Sequence, residues 1–351
     1  MRFFLGLVLV VIALAVALPV IFPAPVDPIA WTPDPDPGLT GPFAPNDKLA
    51  RVERLLEGVG VGPEDVACGP NGSRYTGLRD GRILQFTDDG DYRELANTGG
   101  RPLGMQLDNS GRLIVADAQR GLLAVSADGA IDVLTDAVNG EKILFADDLD
   151  IAQDGTIWFS DASTRHDSHH SIYNFIEGRP SGRLLSFDPA SGETRVHWEG
   201  LFFANGVALG PWDSFVLVNE TGAGRISRLW LRGPKSGERD VFYSGLPGAP
   251  DNLSSNRWDT FWVAMPALRA SLDEMAAQPV LRKLLSRLPV ETLAAAAKPY
   301  SFVVALGLDG QVKHNLQDTA AGFNNITSVN ECDGKLYLGS LTMPAVGRYP
   351  L

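Results

Sequence analysis

Apolar runs of five to seven residues recur along most of the chain and are broken each time by Gly, Asp or Asn. LIVAD beyond Gly111, TIWFSD after Gly155, SFVLVNE after Asp213, TFWVAM after Asp259 and KLYLGS after Gly334 are clear cases. Runs of that length bounded by turn residues read as strands. The turn residues also keep a register, each standing eight places after an equivalent position. Glu64 precedes Gly72 by that interval, Leu103 precedes Gly111, Asp147 precedes Gly155, Asn205 precedes Asp213, Asp251 precedes Asp259 and Ile326 precedes Gly334. One position recurring six times marks a repeat array. Four of the six positions carry an oxygen donor.

Each repeat divides into four short strands. The second is the plainest: GMQLDNSG, RLIVADAQR, GLLAVSADG and IDVLTDA. Four antiparallel strands in a unit of about 40 residues is the pattern of a propeller blade. The expected fold is all-β, a six-bladed β-propeller; two β-sandwiches would not explain one position recurring six times. The chain begins with an outer strand near Arg51 to Glu57 that lacks a blade, and ends near Tyr349 in a blade that lacks an outer strand. Pairing the two, with the first strand beside Val346 to Tyr349, closes the ring and removes two open sheet edges.

Outside the array, 19 uncharged residues run from Phe3 to Ile21 behind Arg2. As a helix they would span roughly 28 Å, enough to cross the hydrocarbon core. A cleaved signal peptide is the competing reading of residues 1–22, but the apolar stretch is long for a signal core and runs into Pro19, Pro23 and Pro25 with no obvious small-x-small site at its end. Both readings export the remainder, to a periplasmic or extracytoplasmic location. Residues 23–46 are Pro-rich, which favours extended polyproline geometry and predicts a spacer holding the propeller (47–351) off the membrane. Cys68 falls on the first inner strand and Cys332 on the last. An oxidising compartment permits a disulfide between them, while two buried free thiols remain the alternative.

Among 351 residues, 44% apolar content suffices for a core, and 21% charged residues exclude wholesale disorder. The net charge of −12, with no basic stripe, argues against nucleic acid and against a general attraction to anionic lipid.

Inner strands of a propeller line its channel, so Glu64, Asp147, Asn205 and Asp251 are expected to converge there. Taken singly, an Asp at a strand end is ordinarily a turn cap, and Asn205-Gly206 reads as a turn. Three carboxylates aimed at one point repel one another unless a cation sits between them. Oxygen donors without Cys or His suit Ca²⁺ far better than Zn²⁺.

The motifs GPEDVACGPNGSRYTGLRDGRILQF, FADDLDIAQDGTIWFSDASTR, FANGVAL and APDNL resemble those of strictosidine-synthase-like proteins, which group with gluconolactonases and paraoxonases as six-bladed, calcium-dependent hydrolases. The resemblance spans about Arg51 to Tyr349, and one branch of the family carries a single N-terminal membrane segment. It implies metal ligation by Glu64, Asn205 and Asp251, with Asn252 as a further ligand. Asp147-Asp148 stands where the family often has Asn-Asp; the extra charge should tighten divalent binding or raise one carboxylate pKa. Where strictosidine synthases place a catalytic Glu, this chain has Thr327, which argues against Pictet–Spengler condensation. Where paraoxonases place a His, it has Leu103.

The resemblance therefore implies a Ca²⁺-dependent hydrolase of small-molecule lactones or aryl esters. The general base is sought at Asp147 or Asp251, or at His169 and His170 in the insertion STRHDSHHSIYNFIEGRPSG, which also holds His166. A second insertion, residues 267–298, reads as two short helices broken at Pro289. Its leucines 281, 284, 285 and 288 form one face, a lid over the channel, a surface resting on lipid, or a helix packed on the rim. A non-catalytic binding platform with structural calcium is the alternative function, since propellers host many.

Overall fold

The computed structural model describes residues 24–269, 273–295 and 298–351. Among them the strands form six four-stranded antiparallel sheets and one short hairpin, Ala137–Val138 with Glu141–Lys142. The expected blades are present. Blade 2 reads Pro102–Leu107, Leu113–Asp117, Gly121–Val125 and Ile131–Thr135 from the axis outward, and the others repeat this order. Closure follows the expected pairing: Glu53–Leu55 joins Val346–Pro350 antiparallel, with Leu55 opposite Val346. Cys68 and Cys332 form a disulfide, tying the inner strand of blade 1 to that of blade 6 beside this seam.

The repeated turn residue has a backbone cause. Gly72, Gly111, Gly155 and Gly334 have φ between +73° and +90°, and Asp213 takes the left-handed region at 52°. Glycine enters that region without the Cβ clash, and Asp is among the residues that tolerate it. In blade 5 the left-handed residue is Arg257 at 62° rather than Asp259. Apolar side chains fill the wedges between blades; Trp262, Val303, Ile326, Val329, Leu336 and Leu338 pack one such wedge.

Inner strands begin at one end of the channel, so the connections between second and third strands emerge at that same end. The long insertions lie there. In blade 3 the connection carries helix α1 (Ser171–Glu177); in blade 5 it carries α2 (Pro279–Leu285) and α3 (Val290–Ala294), with Pro289 preceding α3 as expected.

Two expectations fail here. The Pro-rich stretch is not a free spacer. The Ile29 N–H donates to Glu177 O (3.0 Å) and that of Trp31 to Ala276 O (3.3 Å). The Asp27 N–H reaches Glu177 Oε1 at 2.8 Å, and Phe43 is buried against Phe302 and Tyr243. Its prolines keep it extended, and docking supplies the partners for its remaining N–H groups. The second is the packing of α2 on the rim through its leucines, one of the three readings of that face. Arg282 is fully buried, while Leu281, Leu284 and Leu288 are exposed. The guanidinium donates to Ile176 O (2.6 Å), Ala276 O (3.0 Å), Met275 O (3.1 Å) and Ile29 O, and stacks over Trp31 at 4.3 Å. Arg282 thus clamps the strap, α1 and α2 together. Residues 3–21 lie outside the described residues, among which no helix is long and apolar enough to cross a membrane.

Candidate metal centre

Four inner strands slip register at one place: between Pro102 and Met105, Ala146 and Leu149, Ala204 and Val207, and Ile326 and Val329. Such a bulge re-aims the side chain it carries, and here that side chain is Leu103, Asp147, Asn205 or Thr327. Asn205-Gly206 is therefore a bulge inside the strand Ala204–Leu209 and not a turn. Gly206 is required by close approach: a Cβ there would stand 2.3 Å from Leu253 N and 2.5 Å from Asp251 O. The sixth equivalent position is Thr327, because the hairpin in blade 6 (Val329 opposite Leu338) is one residue shorter than those in blades 1, 2, 3 and 5 (Leu149 opposite Phe159 in blade 3); Ile326 is core.

Glu64, Asp147 and Asp251 converge, each offering a carboxylate oxygen within 4.8 Å of the others, and all three are buried. The backbone holds them in place. Thr327 Oγ1 donates to Glu64 O at 2.6 Å, Asn252 N to Thr327 O at 2.9 Å, and Gly206 N to Asp251 O at 3.1 Å. Asn219 Nδ2, unmarked in the sequence, also donates to Asp251 O. Asn205 Nδ2 donates to Asp251 Oδ1, and Asn252 Nδ2 to Glu64 at 3.2 Å. All five expected ligand residues are thus brought together.

The electrostatics are those of a site short of positive charge. Burial, then the charges of Asp251 and Asp147, push the Glu64 carboxyl well above the usual carboxylate range. Burial, then Asp251 and Asp148, do the same to Asp147. Burial raises Asp251 to about 7, against the hydrogen bond from Asn205. One cation opposes this. Arg101 is buried, its charge lowers both Glu64 and Asp147, and its Nη1 donates to Gly62 O at 2.9 Å. Two places before Leu103, it occupies the register held by Phe145 and Phe203 in blades 3 and 4. A charged residue at a position aromatic in two repeats was the available signal.

The donor set fits a hard divalent cation. Three carboxylates and two amides offer only oxygen, in keeping with Ca²⁺ chemistry. The buried Asn205 Oδ1 and Asn252 Oδ1 have no hydrogen-bond partner, an expensive arrangement unless a cation takes them.

The histidines are not brought here. His169 and His170 are exposed, and His170 Nδ1 meets Asp167 Oδ1 at 2.8 Å and stacks on Tyr173. His166 Nε2 lies 3.0 Å from Glu177 Oε2, so it serves the strap's anchor. Neither His169 nor His170 belongs to the ligand group. A loop of 20 residues leaves their direction to local packing.

A channel-end oxygen cage on six blades defines the class, and similarity defines the family. The family described as "Strictosidine synthase" matches residues 147–234, and "Strictosidine synthase-like, N-terminal" matches residues 41–86. Adipocyte plasma membrane-associated protein of Gallus gallus is 34% identical, over 95% of this chain and 86% of that protein. The chain belongs to the strictosidine-synthase-like family. In fold it resembles a gluconolactonase of Xanthomonas campestris, with a TM-score of 0.63 at 18% identity, covering 92% of this chain and 98% of the other. The calcium-binding protein regucalcin of Agrobacterium tumefaciens gives 0.56 at 11% identity, covering 84% and 92%.

Proposed function

We propose that the chain is a Ca²⁺-dependent hydrolase of lactones or aryl esters, acting at Glu64, Asp147, Asn205, Asp251 and Asn252. The observation that carries this reading is the converging trio of buried carboxylates beside two unpartnered amide oxygens. The gluconolactonase neighbour and the calcium-binding neighbour support it at the level of fold. A calcium ion held there would polarise an ester carbonyl and stabilise the negative charge developing on its oxygen.

The chain's own groups do the rest. Asn205 and Asn252 orient through oxygen, while Glu64 and Asp251 close the cage. Asp147, the extra charge where relatives often carry Asn, is the base. Its Oδ accepts a proton from water as that water's oxygen bonds to the carbonyl carbon, and the proton returns to the departing alkoxide or phenoxide. Phe145, Phe202, Phe203 and Phe175, with Leu103, form an apolar cluster at the channel end and would exclude bulk water. Thr327, whose hydroxyl is spent on Glu64 O, cannot act as a carboxylate base, so condensation chemistry is not proposed. The membrane-associated name of the relative and the disulfide support an anchored protein with its propeller exported.

The test is a lactone and aryl-ester panel with Ca²⁺ and with chelator. Activity that needs Ca²⁺ and is lost in Asn205→Ala and Asp251→Ala without unfolding is expected. A folded, calcium-loaded protein inert to the whole panel would leave the binding platform, a reading favoured by the strap and helices over the channel end.

A further inference from the structure

Helix α2 is inside out. Its fully buried side chain is an arginine, whereas Val280 is 73% exposed, Leu284 55%, Leu288 43% and Leu281 39%. Single exposed apolar residues are ordinary, but four within nine residues form a patch. The same stretch, 279–288, presents Lys283 and Arg287 at its surface above the buried Arg282 and has no acid, in a chain of net charge −12. Leucines beside lysine and arginine on a short surface helix match the composition of an element lying in a membrane interface.

The N-terminal strap supplies the second argument. Asp27 pairs with Lys283 at 3.3 Å and with Arg179 at 2.9 Å, so the chain's path is fixed at the edge of the patch. Asp27 lies six residues beyond Ile21, the last residue of the apolar run. At about 3.5 Å per residue they reach at most roughly 20 Å. A bilayer holding Phe3 to Ile21 must therefore pass close to α2.

We propose that residues 279–288 form a second membrane contact. Leu281, Leu284 and Leu288 enter the interfacial region of an anionic bilayer, and the metal-bearing end of the propeller faces the lipid. Apolar esters would then reach the channel from the bilayer rather than from water. The contact rests on the membrane reading of residues 3–21 and not on the hydrolase reading, which its failure would leave intact.

The test uses the full chain. Both native cysteines are in the disulfide, so an introduced cysteine is the only labelling site. A polarity-sensitive thiol fluorophore is placed at Leu284→Cys, at Asn109→Cys on the opposite end of blade 2, and at Val10→Cys in the apolar run. Each protein is reconstituted in phosphatidylcholine–phosphatidylserine vesicles containing doxyl lipid. Quenching at 284 at least threefold stronger than at 109 is expected, with strong quenching at 10. Quenching at 10 with 284 no more quenched than 109 overturns the contact while keeping the anchor. No quenching at either 10 or 284 overturns both. An unquenched 284 label whose emission shifts with protein concentration assigns the patch to a second copy and overturns the lipid contact.

Discussion

Glu64 and Asp65 are neighbours in sequence, as are Asp147 and Asp148, yet the members of each pair meet opposite fates. Asp65 and Asp148 turn into the seams between blades. Asp65 accepts from Met105 N (2.9 Å) in blade 2 and Asn330 Nδ2 (2.7 Å) in blade 6. Asp148 accepts from Val207 N (2.8 Å) in blade 4, Leu253 N (3.3 Å) in blade 5 and its neighbour Leu149 N (2.8 Å). Asp150 continues the series with Leu209 N at 2.7 Å. Inner strands are sheet edges with unpaired N–H groups, and these carboxylates satisfy them, stapling blade to blade. Glu64 and Asp147 turn to the axis, where few donors meet them. Burial raises carboxyl pKa values in both sets, but only the seam set has several N–H donors to oppose it. One residue type can therefore be structural glue or a demand for a cation, according to whether the backbone turns it to the seam or to the axis.

The sharpest way to break this contrast is Asp148→Ala. It strands three buried N–H groups, at about 1–3 kcal/mol each. Denaturant unfolding is expected to show a loss of several kcal/mol that calcium does not restore. A loss no larger than that of Asp147→Ala would erase the distinction between seam and axis.

Next in size is the pH dependence of the metal-free protein. Carboxyls raised in the fold keep protons that the unfolded chain has released, so stability falls as pH rises from about 4 towards 7. For Asp251, raised from 3.8 to about 7, the loss is on the order of 4 kcal/mol above that window. Melting temperature followed from pH 4.5 to 8 should fall without calcium, and calcium should flatten the curve. A metal-free profile that rises across the window would contradict the axial crowding.

Asp147→Asn is smaller. Removing one of three crowded charges should stabilise the metal-free fold by about 1–2 kcal/mol. Calcium affinity should weaken about tenfold by calorimetric titration, with hydrolysis falling far more if Asp147 is the base. Retained hydrolysis would move that role to Asp251.

The smallest effect is expected of His169→Ala and His170→Ala. Stability should stay within about 0.5 kcal/mol and ester turnover within about twofold, as befits exposed residues with local partners. A larger loss of turnover would bring the insertion back into the site.

The ring is legible in the chain before any coordinates, because the information for it is periodic. Turn residues at a constant interval, six strand starts and the pairing of Glu53–Leu55 with the last blade all follow from local pattern and the avoidance of open edges. The same pattern marked Glu64, Asp147, Asn205 and Asp251, since an oxygen donor in a strand register is visible without coordinates, while Asn252 came from the family resemblance. Tertiary structure alone sets which way each acid points, because that depends on pairing across strands and between blades and not on residue type. It alone brought Arg101 to the cluster, made Thr327 the sixth equivalent in place of Ile326, and laid the Pro-rich strap over α1 and α2. And it alone turned α2 inside out, since Arg282 finds its partners in Ile176, Ala276 and Ile29, from three separate parts of the chain, and only folding puts them within its reach.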